Sequence, residues 1–241
     1  YGVMRGLVAL GLFQSQDEIN RSPKQTYGEV RPGDIRYKDV NADGKIDDDD
    51  VVPIAHSNVP QIQYGFALEY RYKRWTISAL FTGAAKVNFL YGGSGFYPFS
   101  GGEVGNILSI VNDPKNRWTP AWYSGDPSTE NPNARFPRLT YGENKNNNRA
   151  STFWLADGSY LRWKSLDISY RIGTNKALRT VGISDMNLHF VGQNLAVWDS
   201  VKLWDPGQAS KNGAVYPLQR TFSLQLTACL LYTSPSPRDR G

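Results

Sequence analysis

Six aspartates crowd the twelve residues from Asp39 to Asp50, "DVNADGKIDDDD". Their order is that of a calcium loop. Oxygen-bearing side chains fall at the first, third, fifth, ninth and twelfth places (Asp39, Asn41, Asp43, Asp47 and Asp50). Gly44 takes the sixth place, where a sharp turn is needed, and Lys45 the seventh, where only a backbone carbonyl would be offered. Ile46 is the apolar residue expected to pin the loop to what lies beneath. A solvated acidic turn would account for the composition but not for this order. The loop ends on Asp rather than a bidentate Glu, and its flanks carry Pro32, Gly33, Pro53 and Pro60, which break helices. The expectation is a structural Ca2+ clamp, not an EF-hand switch.

Other chemistry is sparse. His56 and His189 are the only histidines, and neither neighbours a Ser or Cys in a nucleophile motif. Cys229 stands alone, which excludes an internal disulfide and any multi-Cys metal site. Asp157, Asp167, Asp199 and Asp205 could serve glycoside hydrolysis, but no spacing singles out a pair. No catalytic residue is assigned, and the chain is not expected to be an enzyme. The glycine-rich "GGSGFYPFSGGEVGN" lacks the strand-to-helix frame of a phosphate cradle. A net charge of +5 comes from scattered Lys and Arg, with no basic stripe, so nucleic acid is not an expected partner. In "NRWTPAWYSGDPSTENPNARFPRL", Trp118, Trp122 and Tyr123 offer aromatic faces to a substrate or partner, although packing among loops is the commoner use of such rings.

The elements that must hold these residues are strands. Helical periodicity is nearly absent, whereas period-two alternation recurs in "QIQYGFALEYR", "WTISALFTGA", "YLRWKSLDISYRI", "MNLHFVGQNLAVW" and "RTFSLQLTA". Tyr64, Phe66, Leu68 and Tyr70 share one face, as do Trp75, Ile77, Ala79 and Phe81, then Leu166, Ile168 and Tyr170, then Phe222, Leu224 and Leu226. Strands of about nine to eleven residues suit a tilted membrane crossing, whereas soluble sheets centre on about five or six. Tyr64, Tyr70, Tyr72, Trp75, Trp154, Tyr160, Trp163, Tyr170 and Trp198 are placed as an aromatic girdle. The expected class is all-β: an antiparallel transmembrane β-barrel.

Connection lengths sharpen this reading. They alternate between long (16 to 60, 85 to 152, 199 to 219) and short (72 to 74) or medium (173 to 185). Outer-membrane barrels alternate in this way, with long loops outside and short turns in the periplasm. The acidic loop then falls on the extracellular side. No run of apolar residues makes a membrane helix, and "YGVMRGLVALGLF" has no signal-peptide anatomy; the chain reads as part of something longer.

"GLFQSQDEI", "RPGDIRYKDVNADGKIDDDD", "RWTP" followed by "NPNARFPRL", "DGSYLRWKSLDISY", "VGQNLAVW" and "YPLQRTFSLQL" together resemble the SusC/RagA family of TonB-dependent outer-membrane transporters of Bacteroidota. The resemblance runs in order from about residue 10 to 227. It implies the C-terminal strands of a 22-stranded barrel in the cell outer membrane, embedded in membrane lipid. It also implies uptake of glycan or peptide (an oligosaccharide or peptide substrate) energised by the TonB complex, with a SusD-type surface lipoprotein as partner. Residues 1-228 read as barrel; 229-241 resemble translated sequencing-adapter read-through. The plug and TonB box are not in this stretch, and "TACLLYTS" stands where the family's last strand ends on an aromatic. The alternative is a secreted, calcium-stabilised carbohydrate-binding or glycan-degrading β module, which would be soluble where a transporter would need detergent.

Overall fold

In the computed structural model, residues 2–100 and 106–231 are described. Thirteen strands occur among them: β1 (Met4–Gly6), β2 (Ala9–Leu12), β3 (Lys24–Gln25), β4 (Ile35–Tyr37), β5 (Lys45–Ile46), β6 (Val52–Ala55), β7 (Ile62–Tyr72), β8 (Trp75–Ala85), β9 (Asn88–Leu90), β10 (Leu155–Asp157), β11 (Tyr160–Arg171), β12 (Ile183–Asp199) and β13 (Thr221–Leu230). The helices are single turns or little more: α1 (Gln16–Arg21), α2 (Ser109–Asn112), α3 (Ala121–Ser124) and α4 (Lys176–Thr180). None is long and apolar enough to cross a membrane, which says nothing about strands that cross. The chain divides into two compact units.

One unit gathers Ile62–Ala84, Tyr160–Asp199 and the segment from Pro217. It is a five-stranded sheet in the order β13-β12-β11-β8-β7. Alternation in the sequence becomes alternation of faces. On one face Ile77, Ile168, Phe190 and Leu224 stand in register across four strands, and Trp75, Tyr170, Leu188 and Leu226 form the next row. Phe66 stacks on Phe81 at 5.0 Å, and Phe81 on Trp163 at 5.8 Å. The opposite face carries Thr76, Ser169, His189 and Gln225 in one row. A bulge between Trp163 and Ser165 omits Lys164 from the pairing, which keeps Trp163 and Leu166 on the same apolar face despite their odd spacing. Gly83 leaves room for Tyr64, whose hydroxyl donates to the Tyr160 carbonyl at 3.0 Å; a Cβ on Gly83 would come within 2.4 Å of that ring.

The sheet is open. β7 and β13 are its edges, and no closed barrel is formed among the described residues. Of the barrel expected from the sequence, the described residues show five long antiparallel strands of 10 to 17 residues each and no closure. β13 runs to Leu230 and so includes Cys229 and Leu230, the first two residues of the adapter-like stretch. Residues 232–241 of that segment lie outside the described residues.

The other unit gathers Tyr1–Gln61, Ala85–Ser159 and Ser200–Tyr216. These are the long connections, and they fold together around their own core. Four short strand pairs (β1 with β6, β2 with β4, β3 with β5, β9 with β10) frame it. Its centre is aromatic: Tyr91, Phe96, Tyr97, Phe136 and Trp154 are buried with Leu7, Ile35, Ile46 and Val201. Trp154 packs edge-on to Phe96 at 5.4 Å and donates to the Asn147 carbonyl at 2.8 Å. It is thus a core residue rather than a girdle residue, because it precedes β10 in this unit instead of capping a long strand.

Candidate functional site

Two places in the loop unit concentrate chemistry. The first is the acidic loop. The Asp39 carboxylate accepts from the Ala42 amide at 2.6 Å and the Gly44 amide at 2.9 Å, Asn41 accepts from the Asp43 amide, and Asp43 from the Lys45 amide. These successive side-chain-to-backbone turns coil the chain tightly, with Ala42 and Gly44 both at positive φ (62° and 86°). Asp47 caps the short turn at Asp48–Asp50. Asp50 is fully buried and accepts from the Val40 and Asp47 amides, closing the loop on itself. Ile46 is also fully buried, as the sequence reading expects, and Lys45–Ile46 pairs with Lys24–Gln25.

The donors are hard oxygens, of the kind calcium takes. In the arrangement seen, however, the Lys45 ammonium lies between Asp43 (3.1 Å) and Asp47 (3.3 Å). Hydrogen bonds from the Lys45 amide and ammonium hold the Asp43 carboxyl below its ordinary range. No group of three or more His, Cys, Asp or Glu side chains converges as a metal set among the described residues. Asp48 turns away to Arg149 (2.5 Å) and the Tyr27 hydroxyl, with the Arg149 guanidinium 3.7 Å above the Tyr27 ring.

A buried polar network ties this loop's neighbours together, and sequence reasoning missed it. Asp34, wholly buried, accepts from the Arg31 amide (2.8 Å), Arg138 (2.9 Å), Asn144 (3.0 Å) and Asn147 (2.8 Å). Gln25 donates to the Ile35 carbonyl and Asn146, and accepts from the Tyr37 amide. Burial pushes the Tyr37 hydroxyl far up from its ordinary pKa. "ENKNNNR" reads as a scattered loop, yet Asn146 and Asn147 are buried cross-links. Its one signal was a run of uncharged amides, each able to donate and accept inside a core.

The second place is a cavity of about 910 Å³ walled in part by Arg31, Trp118, Trp122, Tyr123, Arg138 and Tyr141. Trp118 is buried and packs against Gly33, where a Cβ would come within 2.2 Å of the ring. Its indole N–H points to Gln14 at 3.4 Å. "RPGD" and "RWTP" are thereby interlocked: Gly33 at φ 89° makes the space that Trp118 fills. Trp122 and Tyr123 lie on α3, held by Glu130, which accepts from the Ala121 amide at 2.8 Å. Both are exposed, Trp122 to 84%. The three aromatic candidates thus separate into one packing residue and two open rings, all lining one cavity.

On the sheet, His189 lies 3.2 Å from Asp167 and Arg171 3.2 Å from Asp185. Neither pair is joined by a nucleophile.

No family model matches the chain. In sequence it is 28% identical over 236 residues to TonB-dependent receptor P26 of Formosa agariphila, covering 93% of this chain and 22% of that protein. The chain is similar in sequence to TonB-dependent receptors. TonB-dependent receptor P3 of the same organism is 24% identical over 213 residues, with 83% and 19% covered. The fold matches the RagAB peptide importer in its 'open-open' state, with a TM-score of 0.62, 18% identity and 94% of this chain covered. A second structure, of the RagAB peptide transporter, gives a TM-score of 0.63 at 18% identity. These matches bear out the family resemblance read from the sequence. The chain spans about a fifth of the length of these TonB-dependent receptors and of the RagAB chains it resembles.

Proposed function

We propose that this chain forms the C-terminal strands of a 22-stranded outer-membrane barrel that imports a nutrient, glycan or peptide, driven by TonB and lidded by a SusD-type lipoprotein. The observation that carries the reading is the uncovered apolar face of the sheet. Leu68 is exposed to 59% and Leu224 to 71%, in rows of side chains that water would not favour. Lipid against this face and water against the face of Ser169 and His189 satisfy both. The relationship to TonB-dependent receptors and the likeness to an importer support the direction of transport and the existence of a partner. A non-enzymatic role is supported by relatives named as receptors and by a fold neighbour named as an importer.

Calcium belongs to the same proposal, as a clamp on the extracellular loop. Its support is the donor order from Asp39 to Asp50, the coiled turns and Gly44; binding requires the Lys45 ammonium to leave Asp43 and Asp47. The import reading is tested by fractionating cells and feeding them defined substrates. The full-length protein should sediment with outer membranes, need detergent, and support growth on one glycan or peptide only when TonB is present. Release into buffer without detergent would refute it.

A further inference from the structure

We propose that the cavity under Trp118 is a binding site for a ligand carrying a single carboxylate beside a ring or apolar body. The lining carries unequal charge: Arg31, Arg117 and Arg138 against Glu130 alone. Part of that charge is already engaged. Arg117 donates to the Val111 and Asn112 carbonyls, and Arg138 places one terminal nitrogen on buried Asp34. The remaining nitrogen of interest is Arg138 Nε, which is buried and has no hydrogen-bond acceptor among the described residues. A buried, charged donor without an acceptor is uncommon; Nε is closed to solvent as the cavity stands, so an anionic oxygen becomes its acceptor when the Arg138 side chain shifts toward the cavity. Arg31 stands at the rim, with its Nε on exposed Glu29 and its side chain open to solvent. Glu130 on the same wall disfavours a second carboxylate close to the first.

The rest of the ligand is specified by the rings. Trp122 (84% exposed) and Tyr141 (80% exposed) are largely open to solvent. Trp122 meets Tyr123 at 6.0 Å with the two rings nearly perpendicular, and its high exposure makes it available as a platform. Such a platform stacks on a sugar ring or an apolar side chain, and the volume accommodates a few such units. Two sources present this chemistry: an oligosaccharide with a terminal uronate, and a short peptide with its free C-terminus. The inference deepens the import reading by naming a substrate chemistry, but the binding itself needs neither membrane nor TonB.

The test is calorimetry on the full-length protein in detergent, with four probes. These are a uronate-terminated trisaccharide and its neutral methyl ester, and an apolar tripeptide as free acid and as C-terminal amide. At least one acid should bind about ten-fold tighter than its neutral twin, the difference expected of one charge-assisted contact. Which acid does so identifies the source. Trp122→Ala and Arg31→Gln, both at exposed positions that the fold does not need, should each weaken that acid by about five-fold or more. Equal binding of acid and neutral forms, no binding of any probe, or unchanged affinity in both variants would overturn the proposal. Failure to import with these affinities intact would refute the import reading and leave the site standing.

Discussion

Gly33 and Asp39 show how single residues set the loop unit. Gly33 is at φ 89° and a Cβ there would meet the Trp118 ring at 2.2 Å, so two penalties coincide. Left-handed strain alone is about 1–2 kcal/mol for a residue with a side chain, and the clash adds to it. Gly33→Ala should therefore lower the unfolding midpoint and quench the ordered environment of Trp118. Gly28→Ala, where nothing lies within 4 Å of the added atom, should do neither. If both variants unfold alike, the interlock between "RPGD" and "RWTP" has no energetic weight. For the acidic loop, six carboxylates within twelve residues repel when no cation is present. Extracellular calcium is millimolar, so even a weak site, with a dissociation constant of about 10⁻⁴–10⁻³ M, would fill. Calcium should protect residues 39–50 of the full-length protein from protease, and Asp39→Ala with Asp43→Ala should abolish that protection while strand content stays constant. Identical cleavage of the wild type in calcium and in chelator would show that Lys45 is the loop's own counter-ion and that no metal is needed.

At the scale of elements, legibility followed periodicity. All five long strands were readable because alternation every second residue survives as alternation of faces, and their register brought Ile77, Ile168, Phe190 and Leu224 into one row. The short pairs β1–β6, β2–β4 and β3–β5 were not readable. Two to four residues carry too little pattern, and their partners lie far apart in sequence. The buried amides of Asn146 and Asn147 were hidden for a related reason: hydrogen-bond partners at Ile35 and Asp34 leave no periodic trace. Trp154 was misplaced because an aromatic beside a strand reads the same whether it meets lipid or a core. The face itself makes a sharp prediction. Leu68 lies on the apolar face of β7, whereas Ala67 points to the other. Arg at mid-membrane depth costs about 2–4 kcal/mol, so Leu68→Arg should reduce folded protein in outer membranes far more than Ala67→Arg. Equal loss or equal tolerance, read by heat-modifiable mobility on gels, would mean that β7 does not face lipid.

At the scale of the whole molecule, the order of the strands separates two kinds of connection. Tyr160 pairs with both Ala84 and Asp199, and Thr221 with Gln193, so the long connections all leave the sheet at the same strand ends. The two-residue turn at Lys73 and Arg74 and the segment holding α4 join the opposite ends. Those long connections fold into a unit with its own aromatic core rather than trailing as separate loops. On the proposed import reading, the long connections face the outside of the cell and α4 faces the periplasm. The topology is testable with an impermeant maleimide on intact cells carrying Cys229→Ser. The probe position has to be open to solvent, which rules out buried Asn146 and favours Glu143. Glu143→Cys should label on intact cells, and Lys176→Cys, exposed on α4, should label only after the outer membrane is opened. Labelling of Lys176→Cys on intact cells with Glu143→Cys silent would invert the barrel. Labelling of both on intact cells would place the whole chain outside the membrane and return the reading to a secreted module.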